Sequence, residues 1–337
     1  MKQEKTNITG SRKQSHLDLA FESKNVETDH RFYYEPMLSG HPDKGGHWEI
    51  KFGNKTFNFP IWISSMTGGS SRSGAINTML AKTAKMFGFG MGLGSCRIIL
   101  KDDTYLSDFN LRPILGNEVP FYANLGIAQI EQILEAGEAY LIKNLVNKLD
   151  ADGLIIHVNP LQEWLQPEGD QIHFAPIETI KKLLNETEIP LIVKEVGQGF
   201  GKESMIELLK LPLAAIDFAA SGGTNFSKLE LFRNPGMKEF FESVISVGHT
   251  AGEMTEFLND VVEVLGEERK CNLAIISGGI KNFLDGYYFI SKSKIPAVYG
   301  QASAFLKYAN QSQESLDTYA QHQAEGLLLA KAFLKIK

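Results

Sequence analysis

Eight short apolar segments recur along the 337-residue chain, and several of them are apolar at successive positions rather than at alternate ones. Strands that are covered on both faces of a parallel sheet show this pattern. We therefore predict a buried sheet whose strands lie in the segments 60–66, 88–94, 119–125, 153–159, 190–196, 214–220, 273–279 and 296–302.

Segments with apolar residues at helical spacing lie between the predicted strands. The predicted helices cover 75–87, 128–149, 177–185, 204–211, 281–291 and 323–337, with two more near 236–246 and 251–267. Alternating strands and helices indicate an α/β protein, with either an open doubly wound sheet or a closed barrel. The count of eight units favours a TIM (β/α)8 barrel.

Residues 1–59 precede the first predicted strand, and we interpret them as an N-terminal extension made of an arm and a hairpin. The segment 47–60 has the pattern of a β-hairpin that turns at Gly53 and Asn54. No linker composition interrupts the later chain, so we expect residues 60–337 to form the barrel as a single domain.

Composition and charge narrow the classes of partner. Hydrophobic residues make up 43% of the chain and charged residues 22%, as in ordinary soluble proteins. The net charge of −6 argues against a nucleic-acid or anionic-membrane partner. Cys96 and Cys271 are too few and too far apart for a disulfide framework or a zinc site. The polar N-terminal residues, and the lack of a long apolar run, predict a cytoplasmic protein.

Glycine-rich segments follow the last predicted strands, at the end of the barrel where active sites lie. Gly278 and Gly279 follow the seventh strand, Ala302 and Ser303 follow the eighth, and Gly222 belongs to a similar segment after the sixth. Such loops let backbone N–H groups approach an anion, and barrels commonly bind phosphate after strands seven and eight. We predict a phosphate site here, the alternative being that these glycines only make tight turns.

Lys194 lies inside an apolar strand, where a charged lysine is costly unless it has an anionic partner. Neighbouring residues of a strand point to opposite faces, so Glu195 is not the expected partner. This favours a positive charge that faces a bound ligand over an ion pair that only stabilises the fold.

The densest polar cluster follows the fourth predicted strand and contains His157, Asn159, Gln162 and Glu163. His157 and Asn159 are two residues apart and therefore share a strand face. Amide side chains with one carboxylate suit a Mg²⁺ ion that is bound mainly through substrate phosphates. The alternative is a helix start at which Glu163 complements the helix dipole.

Basic residues that could hold an anionic substrate occur in two places. Arg97 follows the second predicted strand, and its planar guanidinium suits a diphosphate. Arg12, Lys13 and His16 lie in the polar arm, where residue types alone indicate an ordinary solvated charge cluster.

Several of these motifs occur together in one known family. They are RKQSH (12–16), SSMTGG (64–69), GLGSCR (92–97), ANLG (123–126), HVNPLQEWLQPEGD (157–170), IVKEVGQG (192–199), SGGTNF (221–226) and SGGIKNFLD (277–285). Over about residues 12–308 the chain resembles the type 2 isopentenyl diphosphate isomerases, which are FMN-dependent barrels. The segment 157–170 is the most specific of these motifs.

The resemblance implies isomerisation of isopentenyl diphosphate to dimethylallyl diphosphate, a step of isoprenoid biosynthesis. It implies an allylic proton shift with reduced FMN, Mg²⁺ and NADPH as the reductant. The expected partner is a small prenyl diphosphate, and a homo-oligomer is expected. Gln162 and Lys194 would carry the chemistry, with Lys194 near the N1–C2=O edge of the flavin.

The resemblance also implies a set of binding residues. Flavin contacts would come from Ser65, Met66, Thr67, Ser95, Asn124, Lys194 and Thr224, with Gly278, Gly279, Ala302 and Ser303 near its phosphate. The substrate would contact Arg12, Lys13, His16, Arg97, His157, Asn159 and Gln162. Glu163 would bind Mg²⁺.

The sequence departs from the family pattern at Cys96, at Val247–Gly248 and over 292–297. These departures concern the pocket wall and the choice of substrate more than the cofactor. One alternative is an FMN-dependent oxidoreductase on the same barrel, but the position of the usual histidine base is Ser221. An inosine monophosphate dehydrogenase-like enzyme would need its cysteine after strand six, whereas Cys96 follows strand two. A relative that binds flavin or phosphate without catalysis is the third alternative.

Overall fold

The structure is a computed structural model that describes residues 15–16, 18–20, 22–23, 27–64 and 72–337. Its centre is a closed barrel of eight parallel strands. Every predicted strand is present and helices alternate with them, so the predicted TIM (β/α)8 barrel is confirmed.

The strands, numbered in chain order, are β1 (Phe32–Tyr34), β2 (Ile50–Phe52), β3 (Lys55–Phe57), β4 (Ile61–Ile63), β5 (Gly90–Gly92), β6 (Phe121–Gly126), β7 (Gly153–His157), β8 (Leu191–Lys194), β9 (Ala215–Asp217), β10 (Ala274–Ser277), β11 (Ala297–Gln301) and β12 (Leu334–Ile336). Strands β4 to β11 form the barrel in chain order, and β11 closes it against β4.

The helices are α1 (Ser73–Phe87), α2 (Leu106–Phe109), α3 (Arg112–Leu115), α4 (Ile127–Glu135), α5 (Tyr140–Lys148), α6 (Pro160–Leu165), α7 (Pro176–Glu186), α8 (Lys202–Leu209), α9 (Phe226–Arg233), α10 (Pro235–Phe241), α11 (Ala251–Leu265), α12 (Phe283–Lys292), α13 (Ser303–Ala309) and α14 (Gln313–Phe333). Short 3₁₀ turns cover Arg97–Ile99, Glu242–Ser246 and Gly266–Glu268. None of the helices in the described ranges is both long enough and apolar enough to cross a membrane.

The hairpin of β2 and β3 closes one end of the barrel. It turns at Gly53, whose φ of 58° is left-handed, as the sequence predicts. Phe52 and Phe57 are buried with Trp62 in a cluster that is separate from the core between strands and helices. The Phe52 and Trp62 rings stack with their centroids 5.9 Å apart. This hairpin fills the N-terminal end of the barrel and leaves the opposite end for a ligand.

Two predicted helices were wrong in extent. The predicted helix 128–149 is two helices, because Gly137 adopts a left-handed φ of 71° between α4 and α5. The predicted last helix, 323–337, belongs to α14, which begins at Gln313 and ends at Phe333. Leu334–Ile336 form β12 instead, and this strand pairs antiparallel with β1. Leu334 and Ile336 are half-buried and Lys335 between them is exposed, which is a strand pattern rather than a helical one.

Candidate functional site

A cleft of about 410 Å³ opens at the C-terminal ends of β4 and of β8 to β11. Six residues predicted from the sequence to contact the cofactor line it: Lys194, Thr224, Gly278, Gly279, Ala302 and Ser303. The barrel brings them together because the C-terminal ends of parallel strands meet at one face. Their contact with a flavin stays a prediction.

Backbone forms one wall of this cleft. Gly278 and Gly279 have φ values of 88° and 72°, in the left-handed region. A Cβ atom on Gly278 would lie 2.0 Å from the carbonyl oxygen of Ala220, and one on Gly222 would lie 3.0 Å from the Cα of Gly279. Gly222, Gly278 and Gly279 are therefore needed for backbone conformation and for the close approach of the two segments.

The charged groups that line the cleft all carry one sign. Lys194, Lys281 and Lys307 contribute to its lining, and none of the lining residues in the described part of the chain is acidic. The Ser64 hydroxyl also belongs to this lining, and it is buried without a hydrogen-bond partner among the described residues. In a chain of net charge −6, this local excess of lysine favours an anionic ligand.

A row of polar side chains crosses the ends of neighbouring strands beside the cleft. His157 on β7 pairs in register with Lys194 on β8, and Lys194 pairs with Asp217 on β9. The Lys194 Nζ donates to the backbone oxygen of Glu195 at 2.6 Å. As the alternation of strand residues predicts, the Glu195 carboxylate turns away. It accepts from three backbone amides at 2.6–2.8 Å.

His157 is held neutral by its surroundings. Burial and then the nearby charge of Lys194 lower the pKa of His157 to about 3. Asn124 donates its amide to the backbone oxygen of Leu93 at 2.9 Å, so its oxygen faces the His157 Nδ1 at 2.7 Å. The imidazole therefore donates from Nδ1, and its Nε2 is left as an acceptor.

The second cluster lies on α6 and α9. Asn159 donates its side-chain amide to Glu163 at 2.9 Å and to Gln162 at 3.2 Å. Gln162 donates to Glu230 at 3.3 Å, and Arg233 donates to the other oxygen of Glu230 at 2.7 Å. The structure therefore brings together three of the residues predicted after the fourth strand. Glu230 was not predicted from the sequence. It is a buried carboxylate in α9, a helix in which apolar and charged residues are interspersed, and no motif includes it.

Arg97 is joined to this cluster through Asp170. The two side chains form an ion pair at 2.6 Å, and Gln129 and Gln132 donate to the same carboxylate. The Asp170 backbone amide donates to Glu163 at 2.7 Å. Burial alone would raise the pKa of Asp170, but Gln132, Arg97 and Gln129 lower it below its ordinary value. Arg97 stays more than half exposed and can reach a ligand at this rim.

The remaining predicted residues are less closely grouped. Ser95 and His16 are exposed, and neither they nor Asn124 line the cleft. Arg12, Lys13, Ser65, Met66 and Thr67 lie outside the described residues. Within the described ranges no three His, Cys, Asp or Glu side chains come close enough to hold a metal ion. Binding of Mg²⁺ by Glu163 stays a prediction.

Comparison with known proteins gives relatives over nearly the whole chain. An isopentenyl-diphosphate delta-isomerase of Rickettsia akari is 35% identical over 318 residues, covering 91% of this chain and 88% of the relative. That of Rickettsia felis is 34% identical over 326 residues, covering 94% and 90%. No family model matches the sequence.

Two solved structures illustrate the likeness of fold. A flavocytochrome b2 variant with sulfite bound has a TM-score of 0.61 at 13% identity, covering 90% of this chain and 72% of that one. A mandelate oxidase variant with a monooxide FMN adduct has a TM-score of 0.53 at 14% identity, covering 91% and 88%. At such low identity the likeness shows the fold alone.

Proposed function

Because this chain belongs to the isopentenyl-diphosphate delta-isomerase family, we propose that it converts isopentenyl diphosphate to dimethylallyl diphosphate in the type 2 manner, with reduced FMN, Mg²⁺ and NADPH as the reductant. The observation that carries the type 2 assignment is the lysine-lined, glycine-walled cleft at the C-terminal end of the barrel. Such a cleft suits a phosphorylated cofactor.

The residues present fit FMN. The glycine wall at 278–279 lets an anion approach the backbone, and Lys281 and Lys307 contribute positive charge to the same cleft. Ala302 and Ser303 line the cleft beside them and would complete the phosphate end. The buried Ser64 hydroxyl lacks a partner among the described residues, and a polar ligand atom would satisfy it. Lys194 and Thr224 would face the ring.

The proposed reaction is difficult for ordinary side chains, because one step protonates an alkene and the other removes an allylic proton at neutral pH. An isolated C=C bond is a very weak base, and its allylic C–H is a very weak acid. Reduced FMN, when bound, supplies a proton donor and acceptor for both steps. His157 is neutral, with a pKa of about 3, so it cannot donate a proton as an imidazolium near neutral pH. The chain's own residues therefore bind and orient the reactants.

Lys194 places a positive charge in the lining of the cleft. Lys194 is the last residue of the buried strand β8, and its Nζ is held by a hydrogen bond to the Glu195 carbonyl oxygen. A fixed cation at this point stabilises negative charge on a bound ring without reorganising during the reaction.

Gln162 would orient the alkene. Its amide is held between Asn159 and Glu230, so its direction is set before a substrate binds. Arg97 would bind the diphosphate at the rim, and we assign the same role to Arg12, Lys13 and His16 of the arm.

The cluster around Glu163 fits a Mg²⁺ ion that is held mostly by its substrate. The Asn159 side-chain oxygen is buried and has no partner among the described residues, and it belongs to the side chain that contacts Glu163. One carboxylate with a nearby amide oxygen matches the oxygen ligands that Mg²⁺ prefers, with diphosphate oxygens and water completing the shell. The ion would neutralise the diphosphate.

Cofactor titration followed by omission assays tests this proposal. The purified protein should bind FMN, which an absorbance titration measures, and the complex should isomerise isopentenyl diphosphate. Leaving out NADPH or Mg²⁺ in turn should abolish the conversion. Oxidation of a 2-hydroxy acid in place of isomerisation would show that the protein is an FMN-dependent oxidoreductase. FMN binding without either reaction would indicate a relative that only binds the cofactor.

A further inference from the structure

A buried carboxylate lies directly behind the lining of the cleft. Asp217 ends β9 and is completely buried, and it is the register partner of Lys194 on β8. One of its oxygens accepts a hydrogen bond from the Ser277 hydroxyl at 2.5 Å. Its other oxygen has no hydrogen-bond partner in the part of the chain that the structure describes. Nothing in the reaction proposed above uses this residue.

The hydrogen bonds around Asp217 are compatible with its ionised form. The Ser277 hydroxyl accepts a hydrogen bond from the Ala219 backbone amide at 2.8 Å. It donates its own hydrogen to an oxygen of Asp217, as a hydroxyl does to a carboxylate. A proton on the other oxygen would have no acceptor among the described residues. Burial raises the pKa of Asp217 above its ordinary value, although the charge of Lys194 and the hydrogen bonds from Ser277 and Ala219 act against that rise.

Three titratable side chains surround Lys194 on its own and the neighbouring strands. His157, on β7, is neutral. Glu195, which follows Lys194, is bound by the backbone amides of Gly197, Gln198 and Gly199. Asp217, on β9, differs from Glu195 because one of its carboxylate oxygens is buried without a hydrogen-bond partner among the described residues. It is therefore the natural counter-charge to Lys194.

We propose that Asp217 is a positioning residue whose carboxylate balances the charge of Lys194 and thereby lowers the reduction potential of FMN in the cleft. This inference rests on the FMN site of the proposed function. When both Lys194 and Asp217 are charged, their charges balance and the site favours the neutral oxidised ring. Without Asp217 the charge of Lys194 is unopposed, which favours the anionic reduced ring.

Asp217→Asn tests this charge with little change of shape, since the asparagine oxygen can still accept from Ser277. The midpoint potential of bound FMN is measured at pH 8, where a carboxyl group of raised pKa is more fully ionised than at pH 6, by reductive titration against a reference dye. We expect an upward shift of about 30 mV, which corresponds to tenfold in the equilibrium constant of a two-electron couple. The affinity for reduced FMN relative to oxidised FMN should rise by the same factor.

Glu195→Gln is the matched control, because it removes a second carboxylate next to Lys194. Its shift should be less than a third of that in Asp217→Asn. An unchanged potential in Asp217→Asn, or an equal rise in Glu195→Gln, overturns the inference while the proposed function stands. Failure of the wild-type protein to bind FMN overturns both.

Ser277→Ala keeps the inference testable if Asp217→Asn does not fold. It removes the hydrogen bond that favours the ionised form of Asp217, so the carboxyl group should hold a proton to higher pH. The potential of bound FMN should then exceed the wild-type value by more at pH 6 than at pH 8. A shift of the same size at both pH values contradicts the inference.

Discussion

The side-chain amide of Gln162 donates to the carboxylate of Glu230 at 3.3 Å, which joins α6 to α9 across 68 residues of sequence. Glu230 is buried, with 3% of its side chain exposed, and Arg233 binds its second oxygen. Gln162, which the family resemblance places in contact with the substrate, is therefore oriented by Glu230, a carboxylate that belongs to none of the family motifs. Because that carboxylate is itself fixed, the amide direction is set by the protein alone.

Glu230→Gln should separate orientation from binding. The substitution preserves size but allows the new amide to turn its nitrogen toward Gln162, which misdirects that side chain. We expect kcat/KM for isopentenyl diphosphate to fall about tenfold, or about 1.4 kcal/mol of transition-state stabilisation. FMN affinity should be unchanged. Glu168→Gln removes the exposed second partner of Arg233 and should leave kcat/KM within twofold; equal losses in both variants contradict the assignment.

Glu163→Gln should weaken the dependence on Mg²⁺ while leaving the flavin bound. The substitution removes the one carboxylate assigned to the ion, so the Mg²⁺ concentration for half-maximal activity should rise at least tenfold. A titration of activity against Mg²⁺ measures this, and an FMN titration supplies the control. An unchanged Mg²⁺ concentration for half-maximal activity would show that Glu163 does not bind the ion.

Gly278→Ala should unfold or strongly destabilise the cleft wall, because the new Cβ meets the Ala220 carbonyl oxygen at 2.0 Å. Gly45 has nearly the same φ, 87° against 88°, and nothing within 4 Å of its Cβ position. Gly45→Ala therefore measures the conformational cost alone, about 1 kcal/mol. The clash should bring the loss in Gly278→Ala to about 3 kcal/mol in denaturant unfolding. Equal losses would show that the close approach does not matter.

The neutral His157 predicts a loss of stability in acid. Its pKa is about 3 in the folded protein against an ordinary value of 6.5, so below pH 6.5 the unfolded chain binds a proton that the folded chain does not. This contribution should cost about 2 kcal/mol between pH 6.5 and pH 5. His157→Gln should flatten the fall in unfolding free energy by about that amount, whereas substitution of the exposed His322 by Gln should not. Parallel curves for all three proteins would contradict the account.

The repeating pattern of the fold was predictable, and its local interruptions were not. Several barrel strands are continuous apolar runs because helices cover the sheet outside and side chains fill it inside. The hairpin turn was marked by Gly53 and Asn54. The break at Gly137 was hidden because apolar spacing continues through it on both sides. At the end of α14, pairing with β1 decides the conformation of Leu334–Ile336, and that partner lies some 300 residues earlier.

The candidate site was predictable only where a residue type is unusual for its place in the predicted strands and loops. Lys194 stands out because it is charged within an apolar strand, and the glycine pair stands out because it follows a strand end. Asp217 offered the same signal in the strand 214–220 and was not used. Glu230 offered none, since its partner Gln162 lies 68 residues earlier in the sequence.

A proton NMR time course tests the central claim most directly. Isopentenyl diphosphate is incubated anaerobically with the protein, FMN and Mg²⁺, with NADPH in one sample and without it in the other. The account predicts vinyl-methyl signals of dimethylallyl diphosphate that grow only with NADPH, with no stoichiometric consumption of the reductant. Absence of product when the flavin is visibly bound and reduced, or equal conversion without any reductant, would contradict it.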